Sequence, residues 1–418
     1  MGGRAWVTWP MALLLGGLLA MSRSSAMPEK ATQGKRRKAP TTRARELGIP
    51  FNGTPGRYNA ITDVAGISVG HATIHSGKGP NAIRSGVTGI LVRPRGSRQP
   101  VAAASAQLNG NGEMTGLPFL ETVGKLWGGI ALTETLSVGA VRDALARYLH
   151  GRLRLGSEPS ALPVAAETWP GMLSDAWASP VTGAHVDQAL DAAKPGPVEE
   201  GGVGGGTGSV CFQYKGGIGT ASRVVGKHTV GVLVQTNFGK RGDLQIAGVP
   251  VGKKLTGLKP LYPKPGRKKD GSIIVVVATD APLLPHQLKM VATRAGLGIG
   301  QCGGIGRATS GDLFLAFSTA PIKRSGGVDH WVGLPDLRLD PIYEAVVQAT
   351  EEAILNALVA AKTMTGRDGN TVYAMPHDEV QRLLKTAGRL VPVEDAAGPA
   401  KGPATRRKAT AVRGSAAP

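Results

Sequence analysis

Hydrophobic and polar positions alternate in short blocks along this chain, and the block with the least polar interruption runs from Ile273 to Val277. Five consecutive β-branched residues there predict a strand buried on both faces. From Ala60 onward the runs ITDVAGISVGHATI, SGVTGILV and PVAAASAQL are β-type and punctuated by glycine, and TVGVLVQTNFG and DLFLAFST continue that pattern further on. Helical spacing appears over 137–152, where Val138, Val141, Ala144, Leu145 and Leu149 share one face and Ser137 stands at the cap position. It returns over 284–296 with Pro285 at an early position, over 341–363 before Gly366, and in PHDEVQRLLKTAG. The polar stretch 173–200 reads as surface covering. Strands and helices intermixed in this way predict stacked α and β layers in one domain, 58–391.

A chain of 418 residues with 41% hydrophobic content can bury a large core, and 61 glycines imply many tight turns and close backbone approaches. The net charge of +20 is unevenly placed. Residues 1–46 hold nine Lys/Arg against two Glu, and residues 398–418 hold five Lys/Arg and no acid. The core is therefore only modestly basic, which argues against a specific nucleic-acid surface there. Residues 1–26 have signal-peptide layout: Arg4, an apolar run centred on Met11–Met21, and small residues ending at Ala26. Export to the periplasm or medium is expected, or a cytoplasmic protein if Met27 is the true start. No segment is long and apolar enough to predict a transmembrane helix. Residues 27–57 read as a basic flexible lead-in and 392–418 as a disordered basic tail. The two cysteines, Cys211 and Cys302, read as small buried residues.

The familiar chemical motifs fail on context. The glycine cluster Gly201–Gly208 is followed by Ser209-Val210-Cys211 instead of the Lys-Ser/Thr of a phosphate loop, and it leads into β-type sequence. Close backbone packing explains it better. His71 and His75 have HxxxH spacing but lie in β-type sequence, where four residues span roughly 13 Å, so no metal site is expected. Gly66-Ile67-Ser68-Val69-Gly70 matches a nucleophile elbow in letters but runs on into more strand.

Small polar residues beside glycines remain. Gly271-Ser272 joins the basic loop KPLYPKPGRKKD (259–270) to the apolar strand; Asn237 ends TVGVLVQTNFG; and Ser310-Gly311-Asp312 opens the strand DLFLAFST. Each alone reads as a turn or a strand end. Together with LNGNGEMTGL (108–117), SVGAVRDA (137–144), GGVGGGTG (201–208) and KGGIGTASR (215–223), these segments resemble, in order, the self-processing D-aminopeptidase/esterase (DmpA) and β-peptidyl aminopeptidase family of N-terminal-serine hydrolases. The likeness spans about residue 58 to 363.

The resemblance implies a four-layer α/β/β/α sandwich of the DmpA/ornithine-acetyltransferase type. It implies self-cleavage at Gly271-Ser272 into an α chain ending at Gly271 and a β chain from Ser272. The N-terminal serine would then hydrolyse peptides, amides or esters that carry a free amino terminus. Asn237 falls on the family's oxyanion donor, and Ser310 and Asp312 fall on the pair that orients the nucleophile and its amine. Glu167 falls on an acid that would bind the substrate ammonium. The sequence departs from the pattern at Trp169, where the family commonly has Tyr, and at Glu134 and Leu136, where Asn and His are common. Glu134 is expected to add a second ammonium contact or to reshape the specificity pocket. No metal or organic cofactor is implied, and the assembly would be an αβ heterodimer within a larger homo-oligomer. Two alternatives stand beside this reading: an amide hydrolase or acyltransferase of the same fold acting on non-peptide oligoamides, and a secreted polyanion-binding protein acting through its basic ends.

Overall fold

The computed structural model describes residues 42–152, 162–264 and 271–393. The expected signal peptide, residues 27–41 of the lead-in, the loop 265–270 and the tail from 394 lie outside the described residues. In chain order the first strands are β1 (Ser68–Ser76), β2 (Ile83–Leu91), β3 (Val101–Gly110), β4 (Lys125–Leu126), β5 (Gly129–Glu134) and β6 (Val164–Thr168). A small hairpin of β7 (Val210–Cys211) and β8 (Tyr214–Lys215) follows, then β9 (Ile218–Val225), β10 (His228–Asn237), β11 (Ser272–Thr279) and β12 (Gly311–Ser318). The α-helices are α1 (Leu117–Val123), α2 (Val138–Gly151), α3 (Gly183–Asp191), α4 (Val251–Lys254), α5 (Pro285–Gln301), α6 (Asp340–Ala360) and α7 (His377–Thr386).

Two sheets stack face to face. One has the order β1-β2-β5-β6 and the other β4-β3-β12-β11-β10-β9. Between them lies an apolar layer built from Ile90, Ile130 and Leu132 on one side and Leu233, Ile274 and Val276 on the other. Helices α2 and α3 cover the outer face of the first sheet through Val141, Leu145, Val186 and Leu190. Helices α5 and α6 cover the second through Leu288, Val291, Val346 and Ile354. The result is the four-layer α/β/β/α sandwich. Strand β11 shows why its sequence had to be apolar throughout: Ile273, Val275 and Val277 face the helices, whereas Ile274, Val276 and Ala278 face the other sheet.

Three local expectations change. Residues 173–200 are not mere surface covering, because α3 buries Val186, Ala189 and Leu190 at helical spacing. Ser137 stands at the cap of α2 but makes no cap; its hydroxyl donates to Glu134 Oε1 at 2.7 Å instead. The described end of the lead-in, 42–57, is not loose. Arg43 pairs with Glu200 at 2.7 Å, and Arg45 pairs with Glu352 at 2.7 Å. These arginines are counter-ions of buried acids, which holds the segment against the body.

Candidate active site

The strand order places the site. In the larger sheet β11 and β12 are parallel, and each is flanked by an antiparallel neighbour, β10 and β3 respectively. The starts of two strands and the ends of two others therefore share one edge. Register sets Asn237 opposite Ser272, Ile273 opposite Asp312, and Asp312 opposite Asn109. Residues far apart in sequence thus stand in a row, all buried except half-buried Asn109.

Ser272 is the first residue of β11, and its Oγ accepts a 3.3 Å hydrogen bond from the Gly311 N–H. Beside it, Ser310 Oγ donates to Asp312 Oδ1 at 2.6 Å, and Asn109 Nδ2 donates to Asp312 Oδ2 at 3.2 Å. Burial raises the Asp312 pKa, against the two hydrogen bonds that lower it. The Asn237 carboxamide is oriented by its oxygen, which accepts the Val210 N–H at 2.8 Å. Its Nδ2 is thereby left free to point at Gly271. A methyl group added at residue 271 would sit 1.2 Å from the Asn237 carbonyl oxygen and 2.8 Å from Nδ2. Only glycine fits against Asn237 at this position.

The loop that supplies Val210 is itself anchored. Phe212 and Gln213 both take left-handed backbone angles in the β7–β8 turn, a strain offset by the edge contact of Phe212 with Phe238, ring centres 5.0 Å apart. Lys215 is fully buried among the described residues without an acidic partner, and its ammonium donates to the carbonyls of Ser209 at 2.9 Å and Gly216 at 2.8 Å. Burial lowers its pKa to about 7. The Gly201–Gly208 cluster packs backbone on backbone: a methyl at Gly205 would lie 2.5 Å from the Leu132 carbonyl oxygen.

Glu167, at the end of β6, accepts the Glu113 N–H at 2.9 Å and the Thr135 hydroxyl. Burial raises its pKa against those two bonds. It lines a cavity of about 200 Å³ together with Asn111, Glu113, Thr135, Trp169 and Ser272. A carboxylate and a hydroxyl thus face one space. Trp169 is also a wall of a second cavity of about 490 Å³, which reaches Asn237 and Gly271. Its indole rests on Gly171, where a methyl would come 2.3 Å from Nε1.

Glu134 is elsewhere. Fully buried, it accepts from Ser137, has no hydrogen-bond partner at Oε2, and does not line the cavity beside Ser272; its neighbour Thr135 does. The expected contact with the substrate ammonium therefore does not form from this position. Burial pushes its pKa up to about 7. A carboxyl whose folded pKa exceeds its unfolded value holds its stabilising proton below the unfolded pKa. That contribution disappears as pH rises from about 4.5 through about 7. Glu134→Gln is accordingly expected to gain about 3 kcal/mol on the wild type between pH 4 and pH 8.5, read as the difference between their urea-unfolding free energies. A gap that does not change with pH would refute the assignment.

Sequence reading did not anticipate Asn109, Thr135, Val210 or Lys215 as parts of the site, although LNGNGEMTGL stood out as a segment. His71, on β1, is engaged with Thr88 of β2, its Nδ1 3.0 Å from the Thr88 hydroxyl. Ser68 opens a strand with no helix after it. Both cysteines are buried free thiols. Among the described residues no cluster of His, Cys, Asp and Glu could hold a metal ion.

Comparison with known proteins places these observations in a family. The model of peptidase family S58 matches residues 59–372. The β-peptidyl aminopeptidase BapA of Sphingosinicella xenopeptidilytica is 46% identical over 368 residues, covering 82% of this chain and 91% of its own. BapA of Sphingosinicella microcystinivorans is 46% identical over 402 residues, covering 91% and 97%. Among solved structures, a Burkholderia sp. β-aminopeptidase superposes with a TM-score of 0.76 at 43% identity, covering 83% of this chain and 99% of its own. The L-aminopeptidase D-Ala-esterase/amidase of Ochrobactrum anthropi, a serine aminopeptidase with a variant of the Ntn-hydrolase fold, gives 0.77 at 43% identity, covering 84% and 99%.

Proposed function

This chain belongs to peptidase family S58 and is a serine-type aminopeptidase, and from that premise we propose that it makes its own active site by cutting Gly271-Ser272. The observation that carries the reading is the packing of Gly271 against Asn237, opposite Ser272. Ser272 Oγ attacks the Gly271 carbonyl carbon, and the Asn237 amide N–H stabilises the oxyanion. The C–N bond breaks, Gly271 is left as an ester on Oγ, and the nitrogen takes up the proton that Oγ gives up. Water then cleaves the ester, releasing the Gly271 carboxylate and a free α-amine on Ser272.

That amine, with a reference pKa of about 7.7–8.0, is suited to take the proton from Oγ when a substrate arrives. Asp312, held by Ser310 and Asn109, lies one strand away and favours the protonated amine. Glu167 pairs with the substrate ammonium, and Asn237 again meets the oxyanion. The acyl group passes to Ser272 Oγ, the leaving amine takes the proton, and water completes hydrolysis. Substrates are short peptides, aminoacyl amides and esters, β-aminoacyl ones included, as the names of the relatives support.

The cut pieces stay together because their strands interleave. β11 of the β chain pairs with β10 of the α chain over eight residues, and β12 pairs with β3. An αβ heterodimer follows, and assembly into larger homo-oligomers and export with removal of 1–26 belong to the same proposal.

Intact-mass measurement of the purified protein is expected to give two chains meeting at Gly271/Ser272, the α-chain mass also reporting whether residues 1–26 are gone. β-Alanyl and L-alanyl p-nitroanilides should be hydrolysed and their N-acetyl forms should not. An uncut protein, or equal rates on the blocked amides, would defeat the proposal.

A further inference from the structure

The two cavities that meet at Trp169 carry opposite charge. The 200 Å³ cavity on the Ser272 side is lined by Glu113 and Glu167 and, among the described residues, by no Lys or Arg. In the uncut chain the 490 Å³ cavity on the Asn237 and Gly271 side is lined by Lys240 and Arg241 and, among the described residues, by no acid. Neither cation forms an ion pair among the described residues. Arg241 is buried, its guanidinium stacked 4.0 Å over the Tyr214 ring. Its terminal N–H groups are used on the carbonyls of Gln213 at 3.0 Å, Leu258 at 2.9 Å and Gly257. All three partners are neutral. Burial lowers the Arg241 pKa, with only tyrosines acting against it. Lys240 stands next to it, exposed at the cavity wall and three residues beyond Asn237.

A buried cation whose partners are all neutral is stabilised by an arriving anion. Resting on the aminopeptidase reading above, we propose that the larger cavity is the leaving-group subsite and that it recognises the free C-terminal carboxylate of a short peptide. The substrate is then a zwitterion bound by both ends: its ammonium at Glu167 and its carboxylate at Lys240 and Arg241, with the scissile carbonyl between them at Ser272 and Asn237. In a dipeptide the carboxylate lies one residue, roughly 3.5 Å of extended chain, past the scissile nitrogen. That is within the span of a lysine side chain three residues from the oxyanion donor. Wall residues Trp169, Phe238 and Tyr262 give the penultimate side chain an aromatic surface. The opposite fields also set direction, since a peptide entering carboxylate-first would meet like charge at both ends.

The test uses the mature two-chain enzyme and three substrates: Ala-Phe, Ala-Phe amide and alanyl p-nitroanilide. The dipeptide is expected to exceed its amide in kcat/KM by about fivefold at low salt, since Lys240 is exposed and its pairing is screened. The ratio should shrink near molar salt, fall but stay above one in Lys240→Gln, where Arg241 remains, and drop to about one in Lys240→Glu. Equal rates for acid and amide in the wild type, or a ratio that Lys240→Glu leaves unchanged, would overturn the subsite while hydrolysis of alanyl p-nitroanilide left the aminopeptidase standing. Failure on all three free-amine substrates would instead count against the aminopeptidase reading itself.

Discussion

Ser272→Ala is expected to yield one uncut chain and to lower aminopeptidase turnover by at least about 10⁴-fold, the scale on which catalytic nucleophiles fail when deleted. The fold should survive the change. Ser272 contributes one 3.3 Å acceptor to the Gly311 amide, and its neighbours in β11 carry the packing. Loss of cleavage together with loss of activity, in a protein that melts like the wild type, separates a chemical role from a structural one. Intact mass and a p-nitroanilide assay read the two effects. Ser272→Cys keeps a nucleophile in place and should cut, more slowly, at the same bond. If the alanine variant were still cut at Gly271, some other group would be the nucleophile of self-cleavage.

That α and β layers stack was legible because burial on both faces leaves a mark that period alone does not, whereas the four-layer order came with the family resemblance. Ile273–Val277 could only be a central strand, and the spacing of α6 needed a long helix. What escaped was written in small or polar residues. Strands β5 and β6, GIALTE and VAAET, are short and alanine-rich, so they carry little β signal although they hold Glu167 and bring Thr135 to the site. Helix α3 buries only three apolar side chains in a polar sequence. Lys215 gave no signal, because its acceptors are backbone carbonyls that no letter records. Glu134, expected to contact the substrate ammonium or to reshape the pocket, does not line the cavity beside Ser272. At the end of a strand the next residue turns toward the other side, and there it is Thr135 that reaches the cavity. Gly271-Ser272 shows the converse: two letters of almost no local information become specific once register sets Asn237 and Asp312 beside them.

Glu167→Gln should separate the two reactions of this site. The first cut has no ammonium to bind, because its acyl group is an internal glycine, so the variant is expected to process itself like the wild type. Glutamine preserves the shape and the hydrogen bonds: Oε1 can still accept the Glu113 N–H, and Nε2 can donate to the Thr135 hydroxyl. What it removes is the charge opposite the substrate amine in a buried cavity. Losing one member of such a pair costs about 2–5 kcal/mol, or roughly 30-fold to 4,000-fold in kcat/KM. The pH profile gives a second reading. Burial raises the Glu167 pKa, so its ionised form is lost, as pH falls, at a higher pH than for an exposed glutamate. Wild-type kcat/KM should drop through that elevated pKa, and the Gln variant should lack this acid limb. A Glu167→Gln protein that stays uncut would place Glu167 in the self-cleavage chemistry. One that cuts itself and keeps wild-type kcat/KM would move the ammonium to another acid, with Glu113 on the same cavity wall the next to test.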